Sequence, residues 1–529
     1  MSREIALLLI AGSALVALLL SRIQAGINAR HGTDHAVHVF LINRIRENNF
    51  RLFVRIPRLL NEAYIGALPL YLHWIFSLFP LRVMPVAEKL LNPTMNALLV
   101  MLVGIASLKF AFPAAPGTAA LAAGLVSVTP QFYHALSARN FGLSARSIGL
   151  VLFAIFFFLA WRIIAGSDNW SDWALLGVSS YLVFGFSTFG AQALVIVGLL
   201  VAVLTASLVT LFGTLMGLAI FVIVHPRYAL GYLQHTARFI AAYGRELAPV
   251  YILARRYSIW RDFTRDIWVK LSDGPKAAFR YAYENSILVV LLLNPLVVLA
   301  AALHFLYSQT ETISSLTGFA RVVSLAGIGA MLLTSFRQTR FLGEPERYVE
   351  AVTPFAAIGS AGVLLEVAGG GGALALILFF TTLCVAQIVA SRILSKYLSS
   401  KPVRMDDVQA AILRHDAGRT RLASNNEQYL KLLLVNDWRF SYCIAVGNGY
   451  CGMRIGEVFD PLPFVRREAL ARIVTAYRID TCVLDRSFYE TVFDHAPSGL
   501  QQTSTIFESD GVVVLRFKWD YDDAPPRGA

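Results

Sequence analysis

The sequence predicts a mainly α, polytopic membrane protein that ends in a small soluble α/β domain. Three observations carry this. Of 529 residues, 56% are hydrophobic and 15% are charged, whereas soluble domains carry roughly a quarter charged residues. Apolar runs approaching the ~20 residues of a membrane span recur up to about residue 398. From Ser399 onward the runs shorten and helix and strand patterns alternate.

The net charge of +12 is spread over the loops between apolar runs. That distribution fits positive-inside bias and affinity for anionic lipid or phosphate. It does not fit nucleic acid, since there is no basic low-complexity tail and no recognition motif. Four cysteines are too few for a disulfide scaffold. Cys384 lies in an apolar run, and Cys443, Cys451 and Cys482 lie in the tail. If the tail is extracytoplasmic, the simplest single bridge is Cys443–Cys451. No second Cys or His pair stands at zinc-ligand spacing.

The first run, Ile5 to Leu20, is long for a secretory h-region, and no small-x-small cleavage site follows it. It is expected to be an uncleaved span with Arg3 on the cytoplasmic side. A first external loop covers 21–91. Further spans are expected near 94–112, 117–136, 147–165 and 170–188, two within 191–224, then 286–307, 318–336, 351–367 and 373–392. That makes about eleven, with Gly369–Gly372 as a turn or kink between the last two. The spans are read as free of charged residues, and no internal repeat is visible.

The segment from His225 to Asn285 interleaves Tyr and Arg, as an interfacial amphipathic helix does. Its charge argues for the cytoplasm, while the span count puts it on the side of the first loop. The two lines conflict. In the tail, "FSYCIAVGN" reads as a buried strand, "FVRREALARIVTAYRI" as an amphipathic helix, "DTCVLDR" as a short strand and "ESDGVVVLRFKWD" as a final strand after a Gly turn. The expected division is a membrane module over 1–398, a soluble α/β domain over 399–520 and a disordered end over 521–529.

Candidate functional residues cluster in the loops. In "HGTDHAVHVFLINRIRENNF", from His31 to Phe50, the stripe Val37, Leu41 and Ile45 makes an interfacial helix with Arg44 and Glu47 turned away. Asp34 opens this helix beside Thr33. One reading is a capped helix whose dipole Asp34 complements. The other is a general base at the hydrocarbon edge, where a carboxylate is costly and therefore a functional candidate. His38 lies one turn on from Asp34, and His35 reads as a surface histidine.

In "AYIGALPLYLHWIFSLFP", Gly66 and Pro69 break any long helix. Tyr71, His73 and Trp74 then anchor a re-entrant interfacial segment, with His73 as a possible substrate contact. The loop 129–147 holds no acid but offers Gln131, His134, Arg139, Asn140 and Arg146. Such a set suits phosphate or sugar hydroxyls, or it is ordinary membrane-flanking arginine. Between two late spans, "SFRQTRFLGEPERYVEAVTPF" sets Arg337, Arg340, Arg347 and Tyr348 against Glu344 and Glu346. This is either an anion site or an internally paired Arg–Glu turn.

The order of these features carries a resemblance. An acid after the first span leads into "RIRENNFRLFVRIPRLL", "LPLYLHWIFS", "GLSARSIGLVLF" and finally "RFLGEPERYVEAVTP". The membrane part resembles the GT-C superfamily of polytopic glycosyltransferases, which use polyprenyl-phosphate-linked sugars. Within it, the chain is similar to enzymes distantly related to oligosaccharyltransferase catalytic subunits and protein mannosyltransferases. The stretch "AYRIDTCVLDRSFYE" resembles the small α/β domain such chains carry.

The resemblance implies a GT-C fold in the inner membrane and Asp34 as general base in an inverting transfer at the extracytoplasmic face. It implies Arg347, Arg340, Arg139 and Tyr348 near the donor phosphate, with His38, His73, His134 and Gln131 lining the site. It implies a lipid, glycan or protein acceptor. The 129–147 loop lacks the second acidic motif of oligosaccharyltransferases, and "NDWRF" at Asn436–Phe440 is not their WWD-type motif. No cofactor is therefore expected to be required. A divalent metal is not supported by the residues, and peptide-asparagine glycosylation is not favoured. The alternatives are a transporter or flippase for lipid-linked glycans and a non-catalytic envelope assembly partner.

Overall fold

The computed structural model describes residues 1–28, 33–52, 60, 62–63, 69–134, 143–242, 263–275, 277–278, 281, 285–307, 313–336, 338–398, 405–415, 420–426, 429–430, 440–442, 447–448, 453–459, 464–492, 501–509 and 511–519. Helix α1 (Arg3–Asn28) buries Ala6, Ile10, Ala14 and Ala17, spaced by one helical turn, against α4 (Met84–Ala106). Between them come α2 (Thr33–Glu47), the two-residue strand β1 (Glu62–Ala63) and the short α3 (Tyr71–Ser77). Then follow α5 (Pro116–Ser127), a 3₁₀ turn Pro130–Tyr133, α6 (Arg146–Ile164), α7 (Trp170–Phe186), α8 (Thr188–Thr205), α9 (Val209–Val224) and α10 (Pro226–Ala242).

Helix α11 (Phe263–Ser272) precedes a broken pair, α12 (Ser286–Leu293) and α13 (Pro295–Tyr307). The run 286–307, expected as one span, is interrupted at Asn294 because Pro295 cannot donate to the preceding turn. Helices α14 (Leu316–Thr334) and α15 (Glu346–Leu398) complete the bundle. Among the described residues, six helices are long and apolar enough to cross a membrane by length and composition. They are Arg3–Ile27, Met84–Ala111, Arg146–Ile164, Thr188–Thr205, Leu316–Thr334 and Glu346–Ile393. The chain is a multi-pass membrane protein.

Helix α15 is two helices in one. Gln131 Nε2 donates to the Glu346 carbonyl at 2.8 Å, and Cys384 Sγ lies 3.2 Å from the Val128 carbonyl. A straight run of that length would span more than 50 Å at ~1.5 Å per residue, so the chain reverses between these points. The reversal sits at Gly369, whose φ of +64° and ψ of −178° fall in a region open essentially to glycine alone.

These contacts sort the helix ends onto two faces. On one lie the first loop, the 128–134 segment, the N-terminus of α15 and the returning end of α15. The segment after α9 lies there too, because the Leu70 N–H donates to the Tyr228 hydroxyl at 2.8 Å. It also touches the 3₁₀ turn Arg340–Leu342. The conflict over 225–285 is thus decided, for its described N-terminal part, in favour of the side of the first loop. At the opposite face Trp161 Nε1 donates to the Ser314 carbonyl at 3.0 Å.

The spans are not free of charge, which corrects the sequence expectation. Arg321 is buried in α14, where its Nε donates to the Gly359 carbonyl at 2.9 Å and its guanidinium lies 4.9 Å from the Tyr307 ring. These partners satisfy and offset a cation that hydrocarbon alone would not hold. Glu88, Asn92 and Asn96 form a second buried polar row, spaced by one turn along α4.

After α15 come α16 (Met405–His415), β2 (Thr420–Ser424), β3 (Phe440–Tyr442), β4 (Gly447–Asn448), α17 (Arg467–Ala476), β5 (Thr481–Asp485), α18 (Arg486–Val492), β6 (Gln501–Glu508) and β7 (Val512–Lys518). The main sheet runs β3-β2-β5-β7-β6. Strand β2 is parallel to β3 and β5, and β7 is antiparallel to β5 and β6. Both faces are covered: Val512 and Val514 join the core with Met405 and Val408, while Val513 and Leu515 pack with Leu470 and Ile473. That explains the unbroken apolar run "VVVL". Strand β4 pairs outside this sheet, antiparallel to β1, with Glu62 opposite Asn448. Cys443 and Cys451 lie outside the described residues.

Candidate functional site

Helix α2 carries Asp34 as its second residue. The helix packs against the bundle. Val39 and Ile42 pack with Met84 and Leu143, while Phe40, Leu41 and Ile45 enter the main core. Arg44, expected to face away, is buried. It pairs with Glu47 at 2.6 Å and stands over the Phe40 ring at 5.0 Å, so its charge is neutralised locally. The side chains of Asp34 and His35 lie outside the described residues.

Two ties fix α2 to α3. At one end His38 Nδ1 lies 2.7 Å from His73 Nε2, the two rings meeting edge to edge with centroids 4.9 Å apart and planes at 25°. At the other, Arg46 Nε donates to the Ser77 carbonyl at 2.8 Å, capping the C-terminus of α3. Burial, and then the neighbouring His38, hold the His73 pKa well below its ordinary 6.5, against the Pro69 carbonyl, which acts the other way. Helix α3 is seated in turn by Tyr71, whose hydroxyl donates to that of Tyr181 at 2.9 Å. Its ring occupies the space that a Cβ at position 185 would need, so Gly185 admits it.

The 129–134 segment meets the turn before α15. Gln131 uses both ends of its amide: Nε2 donates to the Glu346 carbonyl, and Oε1 accepts from Asn294 Nδ2 at 2.7 Å. Asn294 also donates to Thr353 Oγ1 at 2.6 Å. His134 is buried beside this hub. Arg347 pairs with Glu344 and stands 5.4 Å from the Phe189 ring. Tyr348 is fully buried, and its hydroxyl donates to the Leu342 carbonyl at 2.7 Å.

The structure therefore brings His38 to His73, and Gln131 to the helix turn that carries Arg347 and Tyr348. Arg139 and Arg337 lie outside the described residues, as does the side chain of Arg340. Asn294 is a residue that sequence reasoning missed. Its signal was present, since an Asn-Pro pair inside "LLLNPLV" marks a break in an apolar run. Among the described residues no three His, Cys, Asp or Glu side chains converge to hold a metal ion.

No protein-family model matches the chain, and no curated protein matches it in sequence. Solved structures do. The archaeal oligosaccharyltransferase AglB from Archaeoglobus fulgidus, in complex with an inhibitory peptide and a dolichol-phosphate, aligns with a TM-score of 0.54 at 12% identity. The alignment covers 98% of this chain and 75% of that one. A second structure of the Archaeoglobus fulgidus oligosaccharyltransferase, in complex with Zn and sulfate, gives 0.52 at 12% identity over 92% and 70%. The chain has the fold of the archaeal oligosaccharyltransferase.

Proposed function

We propose that this protein is a membrane glycosyltransferase that moves a sugar from a polyprenyl-phosphate-linked donor to an acceptor hydroxyl. The observation that carries the reading is the oligosaccharyltransferase fold across 98% of the chain, combined with an acid on the first-loop helix. That AglB is seen with a dolichol-phosphate supports a lipid-linked donor here.

In this reading Asp34 takes the proton from the acceptor hydroxyl as the oxygen attacks sugar C1. The bond from C1 to the phosphate oxygen breaks on the opposite face, so the configuration inverts and polyprenyl phosphate leaves. Arg347, Arg340 and Arg139 offset the charge that develops on that phosphate. Arg347 does so by exchanging its partner Glu344 for the more highly charged lipid phosphate. Gln131 and Tyr348 hold the turn that presents it, and His38, His73 and His134 shape the cavity wall. The acceptor is a lipid, a glycan or a protein, and the reaction runs at the extracytoplasmic face of the inner membrane.

A positioned base contributes ~10²–10⁴-fold. The test follows polyprenyl phosphate release by reconstituted protein supplied with polyprenyl-phosphate sugars. Asp34→Asn should lower turnover by about that factor. Equal turnover would remove the base assignment, and no wild-type turnover with any donor would favour a flippase.

A further inference from the structure

The elbow that leads from α2 through α3 into α4 carries a patch that the core does not use. Phe50, Trp74, Ile75, Leu78 and Phe79 are exposed, although each is large and apolar. The chain fixes them in place. Trp74 Nε1 donates to the Phe50 carbonyl at 3.0 Å, and the Phe76 and Phe79 rings lie with centroids 6.4 Å apart. Arg46 ties the end of α3 back to α2. A contiguous apolar surface held outside the core marks a contact with another body.

Helix α4 gives the depth of this patch. The segment from Leu90 to Leu108 carries no charge, and Lys89 and Lys109 stand at its two ends. At ~1.5 Å per residue it covers close to the ~30 Å of a hydrocarbon core. Lys89 therefore stands at the headgroups on the first-loop side. Val86, Leu90, Leu98 and Ile105 form the exposed apolar stripe of α4, which runs from the hydrocarbon up to the elbow. The patch thus continues the lipid-facing side of a span at the level where aromatic side chains anchor.

The charges around it have one sign. Lys89, Arg82 about two turns earlier, and Arg51 beside Phe50 are all exposed. Among the described residues none of the three forms an ion pair. Glu47, the exposed acid at the end of α2, is held by Arg44, and Glu88, next to Lys89, is buried. Cations at headgroup depth attract anionic lipid.

We infer that this elbow is a docking surface for anionic phospholipid of the leaflet on the first-loop side. Trp74, Leu78 and Phe79 enter the leaflet, and Arg51, Arg82 and Lys89 take the headgroup phosphates. Because Arg46 and the contact of His38 with His73 fix α3 to α2, bound lipid also braces α2. This binding is independent of the sugar transfer proposed above.

The test uses the full-length protein in phosphatidylcholine bilayers. Acyl-brominated phosphatidylglycerol or acyl-brominated phosphatidylcholine, which quench tryptophan at contact range, is added at equal mole fraction. The Trp74 signal is the difference between wild type and Trp74→Phe. Leu78→Trp in the Trp74→Phe background gives a second reporter on the same patch. Phosphatidylglycerol should quench about twofold or more above phosphatidylcholine. The excess should vanish at high salt and in the variant carrying Arg51→Gln, Arg82→Gln and Lys89→Gln.

Equal quenching by the two lipids overturns the anionic preference. An excess that persists in the triple variant overturns its assignment to these cations. Reporters shielded from both lipids mean that another surface, such as a second copy of the chain, covers the patch, and that outcome overturns the docking itself.

Discussion

Leu70 gives its main-chain N–H to the hydroxyl of Tyr228 across 2.8 Å, joining two residues 158 positions apart. Both are buried, and burial pushes the Tyr228 phenol pKa up, so the hydroxyl stays protonated. Tyr228→Phe leaves the Leu70 N–H without its partner at a cost of about 1–3 kcal/mol. A fall in the Tm of the purified protein checks this. An unchanged Tm would mean that this hydrogen bond contributes nothing to holding the first loop.

Asn294→Ala should act at a distance on the turn before α15. It removes the bonds to Gln131 and Thr353 and frees Gln131 from the geometry in which it holds the Glu346 carbonyl. A destabilisation of about 1–3 kcal/mol is expected. In the proposed reaction the donor KM rises severalfold while kcat changes little, and Gln131→Leu reproduces the KM effect. Donor titrations of the two variants provide the check. An unmoved KM in both would separate the hub from donor binding.

His73 should make the fold acid-sensitive. Its folded pKa is depressed below the ordinary 6.5, so the unfolded chain binds the proton more readily. Its contribution is fully present above about pH 6.5 and is lost as the pH falls below that value. The limit is about 1.4 kcal/mol per pH unit for one group. Over the same window the Tm of His73→Phe should fall less steeply than that of wild type. Parallel curves would assign the acid sensitivity elsewhere.

Gly369→Ala should disturb the reversal in α15. The backbone there is nearly closed to a residue with a Cβ, which costs of order 1–3 kcal/mol. Gly370→Ala is the control, because nothing lies within 4 Å of a Cβ added there and its φ is not positive. Lower yield and Tm for the first variant only are expected from expression and thermal unfolding. Equal behaviour would show that the turn can relax.

Features that repeat at short range were legible in the sequence. The apolar runs give the helices, Gly369 gives the reversal, and "DTCVLDR" and "GVVVLRF" give β5 and β7. Long-range features were not. Arg44 reads as a solvent-facing charge because its residue type says nothing of what covers α2, and its burial depends on Glu47, Phe40 and the main core. Arg321 sits one turn inside a run whose average is apolar, and its partners Tyr307 and Gly359 lie on other helices. The His38 tie spans 35 positions. Strand β6 escaped because "QQTSTIFE" is polar and lies at the sheet edge.

The ladder between β1 and β4 changes what the C-terminal domain is. Glu62 and Ala63 belong to the loop that joins α2 to α3, yet their backbone partners are Asn448 and Gly447. That loop is therefore clamped at three points: at each end by a helix and in between by β4. Displacing β4 would therefore pull on the loop that joins α2 to α3. The domain is a handle on the first loop.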